Sequence, residues 1–515
     1  MARAEIKKLI EKAVKNLYKE SVRVDIDRPQ DSLFGDYSTN LAMILKKNPQ
    51  EIAGAMTTRP LFEKIEVKNG FINFFLSKNY LQKQIREILK EKGEFGQSKI
   101  GKGQKVNVEF ISANPTGPLT LGNGRGGFCG DVLANVLTRT GLKAEREYYI
   151  NDIGEQIKKL GHSVLGDKEA VYRGSYIEKL RKKIKGKKVE EVGQRAAKII
   201  LREMIKPTIK RMKIKFDTWF SEKSLYQKKE TEKVLNFLRK RRLSYKKEGA
   251  VWFKSTEFGD DKDRVLIKAD GEPTYFLSDI AYLKNKFKRG FKTLFFFWGA
   301  DHFGYIGRIK AAAQALGFSK ENVRIIIMQL VHLIQQGKEV KMSKRTGTYI
   351  TLDELIDEVG LDVARFFFLT RSPDTHLNFD LDLAEEQSEK NPVYYVQYAH
   401  TRIASILRKL KTKNKKLKIT AKSLKLLNHS SELSLIKQLV RLPEVVEDTA
   451  NDYQVQRLPQ YAVDLATAFH QFYRDCRVIN EDKNLQEARL ALVLATQITL
   501  GNTLSLMGIS APARM

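Results

Sequence analysis

The sequence has almost no cysteine: Cys129 and Cys476 are the only two in 515 residues, and they lie far apart. Two isolated cysteines supply neither a disulfide framework nor the ligand spacing of a zinc site. Proteins that depend on disulfides are concentrated in oxidising compartments. We therefore expect a protein of the reducing cytoplasm, with no metal site of its own.

Long hydrophobic runs are also missing. The uninterrupted apolar runs, such as residues 294–298, are far shorter than the 18 or more residues that a membrane-spanning helix needs. Residues 1–17 have apolar side chains at helical spacing, with Glu5 and Glu11 among the basic ones. This pattern predicts the first helix of a domain, and not a signal or transit peptide. We expect a soluble protein with no membrane partner.

Acidic residues are scarce relative to basic ones: 61 Asp and Glu stand against 92 Lys and Arg, for a formal net charge of +31. Such an excess favours a polyanionic partner, and nucleic acid is the first candidate. The alternative, a generally basic and highly soluble protein, stays open on charge alone.

The length of 515 residues predicts about three or four domains, at roughly 100–200 residues per domain. Residues 1–98 are expected to form a small α+β domain, with a helical stretch at residues 37–45 and an alternating apolar strand at residues 70–76. The segment 91–103 is rich in Gly and Lys and predicts a linker.

Residues 99–384 carry the pattern of an α/β core. A strand at residues 106–111, a Gly/Pro-rich turn and a helix that should begin near Gly124 follow one another, as at the start of Rossmann-type folds. Further strands of this core are predicted at residues 250–254, 265–268, 293–298 and 323–328. The basic, helical segment at about residues 155–245 is interpreted as an insertion.

Residues 385–515 have helical periodicity and few strand signals. Residues 409–425 are dense in lysine, and residues 488–507 predict a long apolar helix. This all-α pattern fits an RNA-binding domain, and it fits a helical bundle with a solvated charged face equally well.

The densest motif is the segment 112–127, Ser-Ala-Asn-Pro-Thr-Gly-Pro-Leu-Thr-Leu-Gly-Asn-Gly-Arg-Gly-Gly. Its five glycines let a ligand approach the backbone, and the helix that follows offers free N–H groups to phosphate. Downstream, residues 340–347 read Val-Lys-Met-Ser-Lys-Arg-Thr-Gly, in which two lysines flank a Met-Ser pair. Mobile lysines of this kind stabilise charge that develops on pyrophosphate.

Together, these two segments resemble the HIGH and KMSKS signatures of class I aminoacyl-tRNA synthetases. The short sequence motifs around them resemble those of the arginine-specific family of that class, and they follow in the same order along nearly the whole chain. They include Asn-Pro-Thr-Gly-Pro-Leu at 114–119, Tyr-Tyr-Ile-Asn-Asp-Ile-Gly at 148–154, Tyr-Phe-Leu-Ser-Asp-Ile at 275–280, Trp-Gly-Ala-Asp-His at 298–302 and Asn-Pro-Val-Tyr-Tyr-Val-Gln-Tyr-Ala-His at 391–400.

The resemblance implies a multidomain protein: a small N-terminal α+β domain (1–98) for the tRNA elbow, an α/β Rossmann-type catalytic core with a helical insertion (99–384), and an all-α C-terminal domain for the anticodon (385–515). It implies activation of L-arginine with ATP and Mg²⁺, and transfer of arginine to the 3′-terminal adenosine of tRNA(Arg). Because Mg²⁺ enters with ATP, no protein cage for it is expected. We also expect a monomer, and an adenylation step that requires bound tRNA.

The chain departs from the family at the HIGH position. Residues 120–123 are Thr-Leu-Gly-Asn, so both of the usual histidines are absent. Asn123 still carries an NH₂ donor near the place of an imidazole nitrogen, and Thr120 has a hydroxyl donor of shorter reach. Loss of one transition-state donor costs on the order of 10²–10³ in rate, and a partial substitution should cost less.

The site residues expected from the resemblance form four groups. The catalytic residues are Thr120, Gly122, Asn123, Lys341 and Lys344. ATP-binding residues are Pro115, Thr116, Gly117, Thr120, Gly122, Asn123, Met342 and Ser343. Arginine-binding residues are Glu109, Asn114, Glu222, Tyr275, Asp279 and His302. tRNA-binding residues are Phe71, Asn73, Tyr395, Tyr398 and Met515.

Asp279 and Glu222 are the candidates for holding the guanidinium of arginine, because a carboxylate pairs with its planar fork of donors. Tyr275 is expected to pack on the aliphatic stem, and Glu109 and Asn114 to hold the α-amino and α-carboxylate groups. For each of them, a satisfied structural polar residue is the alternative.

Two other functions remain open from the sequence. A non-catalytic, tRNA-binding paralogue would account for the missing histidines. A small-molecule ligase with a HIGH-like turn is the second alternative, although the high positive charge and the appended domains disfavour it.

Overall fold

The computed structural model of the chain describes residues 1–56, 60–340, 350–411, 419–479 and 482–515. The N-terminal region is a three-stranded antiparallel sheet covered by helices, with strand order β1-β3-β2. Its elements are α1 (Ala2–Tyr18), β1 (Tyr37–Thr39), α2 (Leu41–Leu45), α3 (Pro49–Ala55), β2 (Phe62–Lys68), β3 (Phe71–Leu76) and α4 (Lys78–Glu91).

The predicted strand at residues 70–76 is confirmed as β3, but the predicted helix at residues 37–45 is only partly right. Residues Tyr37–Thr39 form β1, and the helix α2 begins after them. β1 pairs with β3 along Tyr37–Phe74 to Thr39–Ile72, and its side chains are buried. Pairing with a neighbouring strand thus overrides the local helical periodicity.

The central part of the chain holds a five-stranded parallel sheet with the order β11-β10-β4-β5-β6. Its elements up to residue 240 are β4 (Lys105–Glu109), α5 (Leu121–Arg139), β5 (Lys143–Ile150), α6 (Glu155–Leu165), α7 (Ser175–Lys183), α8 (Val189–Ile200), a π-helical turn (Leu201–Ile205), α9 (Lys206–Arg211), β6 (Thr218–Ser221), α10 (Lys223–Gln227) and α11 (Glu230–Lys240). The remaining elements are β7 (Ser244–Lys247), β8 (Ala250–Phe253), β9 (Arg264–Ile267), α12 (Tyr275–Lys288), β10 (Thr293–Gly299), α13 (Ile306–Ala315), β11 (Val323–Met328), β12 (Val331–Gln335), β13 (Lys338–Glu339), α14 (Leu352–Val359), α15 (Leu361–Leu369), β14 (Leu377–Asp380) and α16 (Leu381–Glu385).

Two sequence predictions about this sheet are wrong. β8 and β9 do not join it; they form a separate antiparallel sheet with β7. The β7–β8 turn explains this, because Glu248 and Gly249 both have positive φ, as a tight hairpin turn requires. Conversely, β6 lies within the predicted insertion but pairs with β5, so the segment interrupting the core is helical only as far as α9.

In the C-terminal region, every element among the described residues is a helix, as predicted. Its elements are α17 (Pro392–Lys411), α18 (Ala421–Leu424), α19 (Ser430–Leu439), α20 (Leu442–Asp452), α21 (Arg457–Asp475) and α22 (Lys483–Met507). α22 is the one helix among the described residues that is long and apolar enough to cross a membrane, but 67% of its most apolar window is buried inside the protein. A core helix has the same composition, and α22 packs on α17, α21 and α4.

Charged pairs join the N-terminal region to α20. Glu444 on α20 is 3% exposed; it accepts a hydrogen bond from the Tyr37 hydroxyl at 2.7 Å and pairs with Arg28 at 3.3 Å. Arg3 pairs with Asp448 one turn further on, at 2.7 Å. Because α20 also packs on α5, this helix contacts the N-terminal region on one side and the central core on the other.

Candidate active site

A cavity of about 810 Å³ lies at the carboxyl ends of the parallel strands. Its walls include Glu109 at the end of β4, Tyr149 and Asn151 around the end of β5, Glu222 after β6 and Trp298 in β10. Chain order reverses at β4, which has β5 on one side and β10 on the other. Open α/β sheets bind ligands at such a switch point.

A second cavity, of about 440 Å³, adjoins the first and shares Thr120, Asn123 and Trp298 with it. It is lined by Gly122 and by residues 328–331, which run from the end of β11 to the start of β12. Among the residues that the structure describes, a Cβ atom at Gly122 would have only the Thr120 hydroxyl within 4 Å, at 3.9 Å. The backbone at Gly122 is therefore open to a flat ligand in this second cavity.

Thr120 and Asn123 form a capping box at the start of α5, which begins at Leu121 and not near Gly124 as predicted. The Asn123 Oδ1 atom accepts the Thr120 N–H at 3.0 Å and the Thr120 hydroxyl at 2.9 Å. The backbone donor fixes which amide atom is the oxygen, so Nδ2 points away from the cap. Among the described residues, Nδ2 has no hydrogen-bond partner, whereas the Thr120 proton is already used.

The turn before α5 is strained and anchored. Ile111 and Ser112 have φ values of 64° and 37°, and a positive φ is rare for a β-branched residue. Strain of this kind clusters at functional sites. The Ser112 hydroxyl, turned back by this bend, donates to Glu109 at 3.2 Å and accepts the Tyr149 N–H at 3.0 Å.

The Thr120 turn is also tied to the segment that follows the KMSKS-like residues. Thr120 forms a β-bridge with Thr351, and the Leu352 N–H donates to the Leu119 carbonyl at 3.0 Å. Residues 341–349, with Lys341, Met342, Ser343 and Lys344, lie outside the described residues. Ile350, at the end of that gap, lines the second cavity.

Two carboxylates, Glu222 and Asp279, face the first cavity and have no ion-pair partner in the described part of the chain. Burial, reinforced by the charge of Asp279, raises the pKa of Glu222 to about 7. Burial and the charge of Glu109 likewise raise the pKa of Asp279 to about 7, against the hydrogen bond from Tyr305. Among the described residues, no Lys or Arg nitrogen lies within 4.0 Å of either carboxylate. Two acids held above their usual pKa form a site that a cation would complete.

Glu109, another acid that lines this cavity, is held differently. Lys286, whose side chain is fully buried, approaches Glu109 at 2.9 Å and Glu147 at 3.1 Å. The Tyr282 hydroxyl donates to Glu109 at 2.8 Å and also to Glu147. Glu109 is therefore paired inside the protein, unlike Glu222 and Asp279.

The other residues expected at the arginine site line the same cavity. Asn114 is exposed at its rim. Tyr275 is 48% exposed, and its hydroxyl accepts the Glu155 N–H at 3.0 Å. His302 is exposed and lies 3.6 Å from the Asp301 carboxylate. Of the residues expected at ATP, Thr116 and Gly117 line the cavity, whereas Pro115 is buried behind it.

The residues expected to contact tRNA differ in accessibility. On β3, Phe71 is 39% exposed, but Asn73 is only 2% exposed, so its side chain offers no surface to RNA in this structure. On α17, Tyr398 is 37% exposed, and Arg402 lies 4.6 Å from the centre of its ring. Tyr395 is partly buried; its hydroxyl donates to Thr467 at 3.2 Å.

Several cavity residues were not foreseen from the sequence. Tyr149, Tyr282 and Tyr305 contribute hydroxyls to the carboxylate cluster, and Tyr172 and Tyr176 come from the helical insertion. Tyr282 follows Asp279 by three positions on α12, which places both on one helix face; that spacing was a usable signal. No signal in the sequence pointed to Tyr172 and Tyr176, because only tertiary packing brings this segment to Thr116.

Three family models match the chain in order: "Arginyl tRNA synthetase N terminal domain" at residues 4–76, "tRNA synthetases class I (R), catalytic domain" at 167–405, and "DALR anticodon binding domain" at 396–515. The chain is 43% identical to the arginine–tRNA ligase of Carboxydothermus hydrogenoformans, with 96% of this chain and 95% of that protein covered. It is 44% identical to that of Bacillus subtilis, with 96% and 94% covered.

Among solved structures, the chain resembles the arginyl-tRNA synthetase of Thermus thermophilus, with a TM-score of 0.82, 22% identity and all of both chains covered. A methionyl-tRNA synthetase from Mycobacterium tuberculosis shares the fold more distantly, with a TM-score of 0.57, 11% identity, and 79% of this chain and 92% of that one covered. The curated relatives are ligases, and the comparisons give no support to a non-catalytic paralogue. The full-length identity and the ordered domains together show that this chain belongs to the arginyl-tRNA synthetase family.

Proposed function

We propose that this chain is an arginine–tRNA ligase that forms arginyl-adenylate from L-arginine and ATP and transfers the arginyl group to the terminal adenosine of tRNA(Arg). The observation that carries the proposal is the pair of carboxylates, Glu222 and Asp279, at the switch point of a class I core. Both have a pKa raised to about 7 and neither pairs with a cation among the described residues. A guanidinium is the planar cation that supplies matching donors.

In the proposed arginine site, Asp279 and Glu222 receive the guanidinium, and Tyr275 packs on the aliphatic stem. Glu109 and Asn114, near the end of β4, take the α-amino and α-carboxylate end. The pairing of Glu109 with Lys286 supports different roles for these acids. Glu109 has a counter-charge inside the protein, whereas Glu222 and Asp279 have none among the described residues. His302, on the exposed rim, is assigned to the edge shared by arginine and adenosine.

The second cavity is the proposed place of adenosine, lying against the backbone at Gly122. The phosphates then reach the start of α5, where Thr116, Gly117 and the free Nδ2 of Asn123 face the first cavity. A helix N-terminus favours anions there. Lys341 and Lys344, with Met342 and Ser343, are proposed to bind ATP and stabilise its phosphates. Mg²⁺ is proposed to arrive with ATP and to neutralise phosphate charge.

The chemistry needs no covalent enzyme intermediate. A carboxylate oxygen of arginine attacks the α-phosphorus of ATP, the bond to the bridging oxygen breaks, and pyrophosphate leaves. A ribose hydroxyl of the terminal adenosine then attacks the adenylate carbonyl, and AMP leaves. The protein contributes position and charge stabilisation, in which Asn123 donates to developing phosphate charge and the carboxylate pair holds arginine in line.

The tRNA is proposed to lie along the N-terminal sheet, the catalytic core and the C-terminal helices. Phe71 offers an exposed ring on β3, and Tyr398 another on α17 beside Arg402. Exposed rings suit stacking of unpaired bases. Met515, which is 56% exposed, and Tyr395 complete the proposed anticodon surface. The charge of +31 supports a polyanionic partner. We further propose a cytoplasmic monomer that needs bound tRNA for adenylation.

Asp279→Asn tests the arginine site. The substitution keeps the shape and removes the negative charge, so the KM for arginine in tRNA charging should rise by about 10²-fold while the KM for ATP stays within about twofold. Asp270→Asn is the matched control, because Asp270 lies on an exposed turn and only caps the Glu272 N–H. An unchanged KM for arginine in Asp279→Asn would remove Asp279 from the guanidinium site.

A further inference from the structure

Tyr305 occupies a position in the cavity that the proposed function does not explain. It ends the 3₁₀ turn Ala300–Tyr305 after β10 and precedes α13. Its ring packs edge-on against Trp298 at 6.2 Å and Phe276 at 6.3 Å. From this fixed ring, the hydroxyl donates a hydrogen bond of 2.7 Å to Oδ2 of Asp279.

Arg308, three residues further along, supports Tyr305 from behind. Its guanidinium carbon lies 4.3 Å from the centre of the Tyr305 ring, within the range of a cation–π contact. Its Nε atom is buried and has no hydrogen-bond partner among the described residues. Among the described residues, Arg308 forms no ion pair with Asp279, and its charge acts on that carboxylate from a longer distance.

We propose that Tyr305, supported by Arg308, is a positioning residue that holds Oδ2 of Asp279 and leaves Oδ1 turned to the ligand. This inference rests on the proposed role of Asp279 in the arginine site. A phenol donor on Oδ2 means that any proton on the carboxyl resides on Oδ1, the oxygen that the guanidinium must contact. Tyr305 and arginine therefore both favour the ionised carboxylate.

The groups that face Asp279 determine the pH dependence. They are Tyr305 and Arg308 around α13, Glu109 at the end of β4, Tyr149 on β5, and Glu222 and Tyr226 at α10. The hydrogen bond from Tyr305 and the charge of Arg308 lower the pKa of Asp279, whereas burial and Glu109 raise it. Removing the Tyr305 hydroxyl should therefore raise the pKa of Asp279 above its value of about 7.

Tyr305→Phe tests the inference in tRNA charging with arginine as the varied substrate. At neutral pH, we expect the KM for arginine to rise about tenfold, with kcat and the KM for ATP within about twofold. As pH is lowered, the KM for arginine should begin to rise at a higher pH in Tyr305→Phe than in the unsubstituted protein. Arg308→Met should cause a smaller shift in the same direction, and Arg308→Lys should restore part of it. Tyr245→Phe, on β7, is the matched control.

An unchanged KM for arginine and an unchanged pH profile in Tyr305→Phe would overturn the inference. So would a general loss of kcat, ATP binding and thermal stability without a pH shift, since that pattern indicates a structural role alone. Asp279→Asn distinguishes a failure of the proposed role of Tyr305 from a failure of the proposed arginine site. If Asp279→Asn raises the KM for arginine and Tyr305→Phe does not, only the inference fails; if neither does, the proposed arginine site itself fails.

Discussion

Replacing Asn123 with aspartate separates the two interactions that the structure gives this side chain. Oδ1 of Asn123 accepts two hydrogen bonds from Thr120, at 3.0 and 2.9 Å, and aspartate accepts both equally well. A carboxylate in the first turn of α5 also interacts favourably with the helix dipole, by about 0.3–1 kcal/mol. The free energy of unfolding should therefore stay the same or rise slightly.

The other interaction should be lost. Aspartate lacks the NH₂ donor of Asn123 and places negative charge beside the phosphates. Loss of one preorganised donor costs on the order of 10²–10³ in kcat, or about 2.7–4 kcal/mol of transition-state stabilisation. We expect a fall of at least that size in kcat for tRNA charging, with an unchanged melting temperature.

The assay is steady-state charging of tRNA with ATP varied, together with a thermal melt. Asn123→His is the control, because an imidazole N–H restores the donor type usual in the family, and it should keep kcat within about tenfold of the unsubstituted protein. A kcat for Asn123→Asp within threefold of the original would refute the reasoning, since Nδ2 would then not act on the phosphates. A large fall in melting temperature would refute the capping argument instead.

Two further predictions follow from buried charges. Because Glu222 and Asp279 have folded pKa values near 7, above their unfolded values, the free protein holds extra protons and loses stability as pH rises from about 4 to 7. Arginine binding favours the ionised forms of both acids, so the KM for arginine should fall as pH rises from 6 to 8. In a thermal melt, added arginine should stabilise the protein more at pH 8 than at pH 6. A KM for arginine that does not change with pH would contradict this. Glu444→Ala should remove the buried carboxylate that Tyr37 and Arg28 share, leaving these two bonded to each other, and destabilise the N-terminal region by about 2 kcal/mol. The loss should appear as an earlier calorimetric transition, and an unchanged transition would show that Glu444 does not secure that interface.

The sequence predicted the parts of the fold that local patterns encode. The apolar runs at residues 293–298 and 323–328 are strands β10 and β11, and the long apolar helix near the C-terminus is α22. The sequence could not predict which strands pair with one another. β6 is a short half-buried strand whose side chains have no strong period, and only its register with β5 places it in the central sheet.

The same division holds for the candidate site. Resemblance to sequence motifs of the family predicted Asp279, Glu222 and the Thr120–Asn123 turn. The structure places all of them at two adjoining cavities. The state of each acid was not predictable, because it depends on distant residues. Lys286 neutralises Glu109 from a helix that starts more than 160 positions later, while nothing equivalent lies beside Glu222 among the described residues.

The most direct test of the account is charging of tRNA(Arg) by this chain with radiolabelled arginine, ATP and Mg²⁺, measured beside lysine as the competing cationic amino acid. The account predicts arginyl-tRNA well above background, strictly dependent on ATP, and no lysyl-tRNA. Binding of tRNA without any arginyl-tRNA would contradict the enzymatic claim, and charging with lysine would contradict the assignment of Glu222 and Asp279 to a guanidinium.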